Sequence, residues 1–218
     1  MAWICLAGYL LLSGIHLRAS LRQDARGRAL TKPWLLLLLL GFYLGLAREP
    51  NLFLCLALLF SWLGDVLLIP KGTGWFAAGG ISFMFAHFCF IGAYAKPVSL
   101  HPAMIAAGVL GVLVYGGTSF FVMRSLWGML PGMMRVPMFV YLLSNSAMNL
   151  FALWQMMSVG NAAAAAAYAG AVLFFLSDCC LFAVRCHRDR DKVPGGHFTV
   201  MLLYLSGVLL ISTGMACM

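Results

Sequence analysis

LFSWLGDVLLIPKG, residues 59–72, is a run of apolar side chains around a single carboxylate, Asp65. From Asn51 up to that aspartate the chain carries no other charge, so nothing local pairs with it. A second stretch, LFFLSDCCLFAVR (residues 173–185), isolates Asp178 in the same way. A carboxylate among apolar residues loses several kcal/mol of hydration, so each position calls for a partner or a task.

The surroundings decide what kind of apolar environment this is. Of the 218 residues 63% are hydrophobic and 9% charged, and the mean hydropathy is +0.97. A water-soluble core of this size has no room for that much apolar surface. Uncharged runs approaching the ~20 residues that span a bilayer recur along the chain. The expected fold is all-α, a single transmembrane domain over 1–218 with eight helices. The expected spans are 2–17, 33–47, 51–70, 74–95, 103–123, 136–157, 162–184 and 198–217, the first two being short. Met1 leads into apolar sequence without a basic n-region, so no cleavable signal peptide is expected.

Fourteen Lys and Arg residues orient the chain. Arg18, Arg22, Arg26, Arg28 and Lys32 fall around the first connection, Lys71 after the third span, and Arg124 and Arg135 around the fifth connection. Arg185, Arg188, Arg190 and Lys192 fall in the seventh; only Arg48 and Lys96 belong to even-numbered connections. A twelve-to-two split puts the odd-numbered loops in the cytosol and both termini across the membrane, which is a plasma membrane or endoplasmic reticulum membrane. The net charge of +8 is then a topology and lipid-headgroup signal. A nucleic-acid partner would need a basic soluble domain, and the sequence has none.

Metal chemistry finds little support. The seven cysteines (5, 55, 89, 179, 180, 186 and 217) form no CxxC pair and read as apolar thiols. His16, His101, His187 and His197 are scattered near span ends and loops, only His87 is deep in a span, and no HxxxH or HExxH spacing occurs. No cofactor is expected.

Asp24, Glu49, Asp189 and Asp191 stand beside basic residues in loops and read as solvated charge. Asp65 and Asp178 remain. Six residues separate Asp65 from Lys71 and seven separate Asp178 from Arg185, which puts both about 9–11 Å inside the cytosolic boundary at 1.5 Å per residue. The local text repeats as Gly64-Asp65-x-x-Leu68 and Ser177-Asp178-x-x-Leu181, compatible with two parallel four-helix halves, 1–96 and 97–218. Tyr141, Asn145 and Asn149 share one face at i, i+4, i+8. Tyr204 falls at a similar depth, Ser61 stands one turn from Asp65, and Lys32 marks the mouth of the second span. Thirteen residues from Gly74 put His87 about 20 Å in, beyond the aspartates if the helix is straight. Each Tyr, Asn or Ser alone reads as an interhelical hydrogen bond; several converging on two carboxylates read as a polar cavity.

SWLGD (61–65), FMFAHF (83–88), GAVLFFLSD (170–178) and YLSGVLLI (204–211) resemble the YhhN-like lysoplasmalogenase family over essentially the whole chain. Lys32-Pro33 and Pro137-x-x-x-Tyr141 fit the same resemblance. The last motif departs from it, with Gly207 where many members carry Gln.

The resemblance implies an eight-helix membrane enzyme that hydrolyses the vinyl ether of lysoplasmalogen, a lysophospholipid. The products would be a fatty aldehyde and glycerophosphocholine or glycerophosphoethanolamine. Such a reaction needs a proton for the alkene β-carbon and an anion or base, and two carboxylates in low dielectric supply that division. Asp65 and Asp178 are the expected catalytic pair. His87 and Tyr141 are candidate supports, and Lys32 is a candidate phosphate contact. Replacing either aspartate by Asn is expected to leave the protein folded. A proton-coupled transporter also buries acids, but Pro70 and Pro137 read as span ends and no Gly/Pro break is evident beside the aspartates. An aspartyl protease ranks third, since Trp62 stands where its GxGD motif needs Gly.

Overall fold

The structure, a computed structural model, describes residues 1–96, 98, 102–186 and 193–218. His101, His187, Arg188, Asp189, Arg190, Asp191 and Lys192 lie outside the described residues. The elements are α1 (Ala2–Leu21), α2 (Ala25–Leu46), α3 (Leu52–Leu67), α4 (Thr73–Ala95), α5 (Pro102–Gly111), a π turn (Val112–Gly116), α6 (Gly117–Leu126), α7 (Gly132–Val159), α8 (Ala162–Cys186) and α9 (His197–Ala216). No strand occurs among the described residues. Counting α5, the π turn and α6 as one rod, seven helices of 20 to 28 residues are long and apolar enough to cross a membrane. Helix α3, with 16 residues, is shorter.

Several boundaries differ from expectation. The first two helices are full-length because the chain between them turns within residues 22–24, so Arg18, Arg26, Arg28 and Lys32 are helical. Asp24 makes that short turn possible: its Oδ1 accepts from Arg26 N at 3.0 Å and caps α2. Helix α3 ends at Leu67, not at residue 70, which puts Asp65 in its last turn. Helix α7 begins at Gly132, so Pro137 lies inside it, as Pro33 lies inside α2. Each proline lacks the N–H that would bond the carbonyl four residues back, Ala29 O and Met133 O respectively.

Helices α1/α2, α3/α4 and α8/α9 form close antiparallel pairs, α7 packs on α4 and α8, and α9 also meets α1 and α2. The α5–α6 rod leans on α7. Its π turn breaks the regular ladder at Tyr115, whose carbonyl accepts from Ser146 Oγ at 3.3 Å instead, while its hydroxyl meets that of Tyr168 at 2.7 Å. Because both the packed and the outward faces of the helices are apolar, the usual amphipathic stripe is lost. Trp3, Leu11, Leu30, Ile105, Leu113, Phe121 and Met133 are exposed, whereas Ser61, His87, Ser119, Asn145 and Asn149 are buried. Apolar outside and polar within is the arrangement lipid demands.

Glycines bring two of the pairs close enough to carry the polar groups. A Cβ on Gly64 would stand 2.6 Å from the Phe83 ring, and one on Gly79 would stand 2.8 Å from Leu68 and 3.2 Å from Gly64 O, so α3 and α4 touch there. In the other pair, a Cβ on Gly207 would come within 2.8 Å of Gly170 O, one on Gly170 within 2.5 Å of Gly207 O, and one on Gly214 within 2.5 Å of Ala163 O. The backbones of α8 and α9 are therefore in direct contact along three turns.

Candidate active site

Two carboxylates from different helices lie in the bundle interior, Asp65 on α3 and Asp178 on α8, exposed by only 2% and 4%. Partners of both acids pack against one ring, Phe174, whose centroid lies 5.3 Å from that of Tyr204 and 5.6 Å from that of His87. The immediate partners of the two acids differ.

Asp65 is ion-paired. Lys32 Nζ lies 3.0 Å from Asp65 Oδ1, and the Tyr204 hydroxyl donates to Oδ2 at 2.8 Å. The lysine comes from the third turn of α2, held at this level by a specific tie: Trp62 Nε1 donates to Pro33 O at 2.8 Å, one residue on from Lys32 and three back from Asp65. A carboxylate in a final helical turn faces the negative end of the helix dipole, so the lysine offsets an unfavourable position. Lys32 is thus buried inside the bundle against an acid, not placed at the mouth of a span. Tyr204 is fixed in turn by its neighbour on α9, since the Tyr9 hydroxyl of α1 donates to Leu205 O at 2.7 Å.

Asp178 has no lysine. Its Oδ2 accepts from the Tyr141 hydroxyl and from Asn145 Nδ2, each at 2.7 Å, and lies 3.6 Å from His87 Nε2. Asn149 Nδ2 braces the amide from the next turn of α7, donating to Asn145 O and Oδ1 at 3.1 Å. Contact between His87 and Asp178 overturns the expectation that the histidine lies beyond the aspartates. The depth was counted from helix ends taken as level, and these ends are staggered.

A proton can be placed from the geometry. The Ser144 hydroxyl has one hydrogen and donates it to Tyr141 O at 2.7 Å. His87 Nδ1, 3.0 Å from the same oxygen, must then be the donor to it. A neutral imidazole so oriented turns its unprotonated Nε2 toward Asp178 Oδ2, setting lone pair against lone pair. Nε2 is buried and has no hydrogen-bond partner. A proton on either group turns that opposition into attraction, which makes the two a candidate acid couple across a 3.6 Å gap. The ring packs edge-on against Tyr141 and Phe174 at centroid distances of 5.0 and 5.6 Å, which favours this orientation.

The remaining expected residues fall outside these contacts. Ser177 precedes Asp178 but donates to Val200 O at 3.0 Å, pinning α8 to α9. Ser61 Oγ is buried without a hydrogen-bond partner. Gly207 is spent on backbone contact, and the polar group from α9 is Tyr204. Ser144 was not anticipated, although it sits between Tyr141 and Asn145 in the polar register of α7. Among the described residues no three His, Cys, Asp or Glu side chains gather as metal ligands do.

Beside the acids an apolar groove of about 580 Å³ runs between α4 and α7. Tyr141 and Phe83 close its inner end, and the exposed Ile81, Met133 and Val136 form its outer rim, so it opens on the lipid-facing surface.

No solved structure matches this chain. The matching sequence profile is described as that of the YhhN family; it aligns with residues 27–215, a span that takes in every contact to the two carboxylates from Lys32 to Tyr204, and the chain therefore belongs to the YhhN family.

Proposed function

We propose that the protein hydrolyses the vinyl ether of a lysoplasmalogen, with the His87–Asp178 couple as acid and Asp65 as the anion. The observation that carries this reading is the unequal partnering of the acids: a lysine stands against Asp65 and a buried imidazole against Asp178. Family membership supports the same activity.

The chemistry follows the asymmetry. The couple delivers its proton to the β-carbon of the alkene, and the ether oxygen shares the resulting positive charge as an oxocarbenium ion. Asp65 stabilises that cation and accepts a proton from the water that adds to it, giving a hemiacetal. Collapse of the hemiacetal breaks the carbon–oxygen bond to the glycerol, whose oxygen takes the proton held by Asp65, while the hemiacetal O–H gives its proton back to the couple and the aldehyde leaves. One water is consumed. Preorganised charges in a site shielded from bulk water act strongly on such a transition state. The single chain of the lipid lies in the α4–α7 groove, which ends at Tyr141 and so brings the first carbons of the chain to Asp178.

Aldehyde release by the purified protein tests the reading. A lysoplasmalogen should be turned over, and its saturated alkyl ether analogue, which has no alkene to protonate, should not. Equal cleavage of both removes the mechanism.

A proton-coupled transporter is the second reading, and one observation favours it: Pro33 and Pro137 interrupt helices that donate directly to the two aspartates. Transport requires sealed vesicles, whereas hydrolysis proceeds in detergent.

A further inference from the structure

We propose that a second cavity, next to Asp65, binds a phosphate-ester anion, and that this anion is the headgroup of a single-chain lipid whose tail lies in the α4–α7 groove. The chain-linkage part of this assignment rests on the function proposed above; the anion site itself does not.

The cavity encloses about 460 Å³ among α2, the end of α3, α4, α8 and the start of α9. Arg28, Lys32, Lys71 and Arg185 line it together with His197, and among the described residues no carboxylate lines it. Lys32 is matched by Asp65. Among the described residues no carboxylate lies within 4.0 Å of Arg28, Lys71 or Arg185. Around one concavity Arg28, Lys71 and Arg185, which form no ion pair among the described residues, repel each other, and an anion of charge −1 or −2 removes that repulsion. Lys71 and Arg185 are exposed at the rim of this open concavity, Arg28 is half-buried on its wall, and the buried Lys32 forms its floor.

Phosphate suits the donors better than carboxylate or halide. Two guanidinium forks and two ammonium groups can meet an oxyanion from several sides, and arginine pairs with phosphate through two parallel bonds. Arg185 is already set for this, its guanidinium carbon 4.9 Å from the centre of the Phe76 ring.

The attached chain is read from the partition between the two cavities. Leu68, Phe76 and Leu181 line both of them. Asp65 is three residues before Leu68 and Asp178 three before Leu181, so both acids stand one helical turn from that shared wall. An amphiphile with its charged end among the cations and its chain in the groove crosses the wall at the level of the acids. Its linkage between head and tail is then the part presented to them.

Calorimetric titration of the protein in a maltoside detergent tests this without turnover. The probes are a 1-alkyl lysophospholipid, the 1-alkylglycerol of the same chain length, and inorganic phosphate alone. The lysophospholipid should bind at one site per chain. Replacing both arginines (Arg28→Gln with Arg185→Gln) should weaken it tenfold or more, Lys71→Gln should weaken it further, and Arg185→Lys should restore part of the loss. The alkylglycerol should bind weakly and equally to every variant, which also shows that the variants are folded. Equal affinity for the two lipids, or lysophospholipid affinity unchanged in the arginine variants, overturns the proposal. Tight binding of inorganic phosphate without binding of the lysophospholipid would place a free anion there and overturn the lipid assignment. Charge-dependent lipid binding in a protein that releases no aldehyde would sink the hydrolase reading and leave this site standing. Aldehyde release with charge-independent binding would do the reverse.

Discussion

Lys32 Nζ lies 3.0 Å from Asp65 Oδ1, inside a bundle where both side chains are almost fully enclosed. The pair couples α2 to α3 through charge in the same place where Trp62 couples them through a hydrogen bond. It also changes what a substitution at Asp65 does.

Asp65→Asn leaves the lysine ammonium buried without a counter-charge. Breaking a buried pair from one side costs about 3–5 kcal/mol, so this variant should unfold at a clearly lower temperature in detergent. Adding Lys32→Met removes the stranded charge and should recover most of that loss without recovering activity. The expectation that Asp65→Asn folds normally took Asp178 as the partner, and the lysine corrects it. A single Asp65→Asn variant with wild-type thermal stability would show that the pair is not formed.

Asp178→Asn should behave differently. The amide oxygen can still accept from Tyr141 or Asn145, so the stability cost stays near the ~1 kcal/mol of one altered hydrogen bond. Aldehyde release should nevertheless fall by at least ~100-fold, the lower range for loss of a general acid. Combining it with the Lys32→Met, Asp65→Asn background should add little further loss if the two acids serve one step. Multiplicative losses in the combined variant would mean that they act independently.

His87→Phe tests the shared proton. Phe fills the slot between Tyr141 and Phe174 but has no nitrogen, so the protein should remain folded while the rate drops by about 10²-fold or more. Ser144→Ala acts through the ring, since it removes the acceptor for Nδ1 and lets the tautomer reverse; its rate loss should be smaller, and its pH–rate profile should shift. An unshifted profile in Ser144→Ala would show that the serine does not set the tautomer.

Gly207→Ala probes the contact of α8 with α9. Its methyl group would stand 2.8 Å from Gly170 O, so the two backbones must separate, at a cost of about 1–3 kcal/mol typical of overpacking. Thermal unfolding reads the loss directly. Because Asp178 and Tyr204 lie on the two separated helices, aldehyde release should fall as well. Full stability in this variant would show that the seam is looser than the structure has it.

Orientation is open to a simple reporter experiment. The twelve-to-two distribution of basic residues predicts non-cytosolic termini. Cysteine labelling at Met1 and after Met218 should therefore require access from outside the cell or from the lumen. Labelling from the cytosol alone would reverse the assignment.

The sequence carried the architecture because lipid leaves so few alternatives. Runs of apolar residues marked the seven long helices and the shorter α3, and isolated carboxylates stood out at Asp65 and Asp178. The register of Tyr141, Asn145 and Asn149 on one helical face was equally plain, since 3.6-residue periodicity survives without any knowledge of neighbours. What escaped depends on neighbours. Lys32 looked like a boundary residue because charge density marks boundaries, yet the helix had already begun at Ala25. His87 looked too deep because depth along one helix says nothing of where another begins. Ser177 looked like a site residue through adjacency to Asp178, although an i−1 neighbour on a helix projects in another direction and its hydroxyl goes to Val200 O, whereas Ser61, one turn before Asp65, does share its face.

The three glycine contacts between α8 and α9 make that pair a stiff wall: two helices whose backbones touch have little freedom to slide or roll. Asp178 and Tyr204 therefore travel as one body. The opposite wall is built otherwise, since Met84, Met133, Met134 and Met138 line the groove between α4 and α7, and unbranched thioethers rearrange at low cost. On the proposed function, a lipid chain entering the groove would displace the compliant wall and leave the stiff one in place, so admission and alignment of Asp178 with Tyr204 would be mechanically separate.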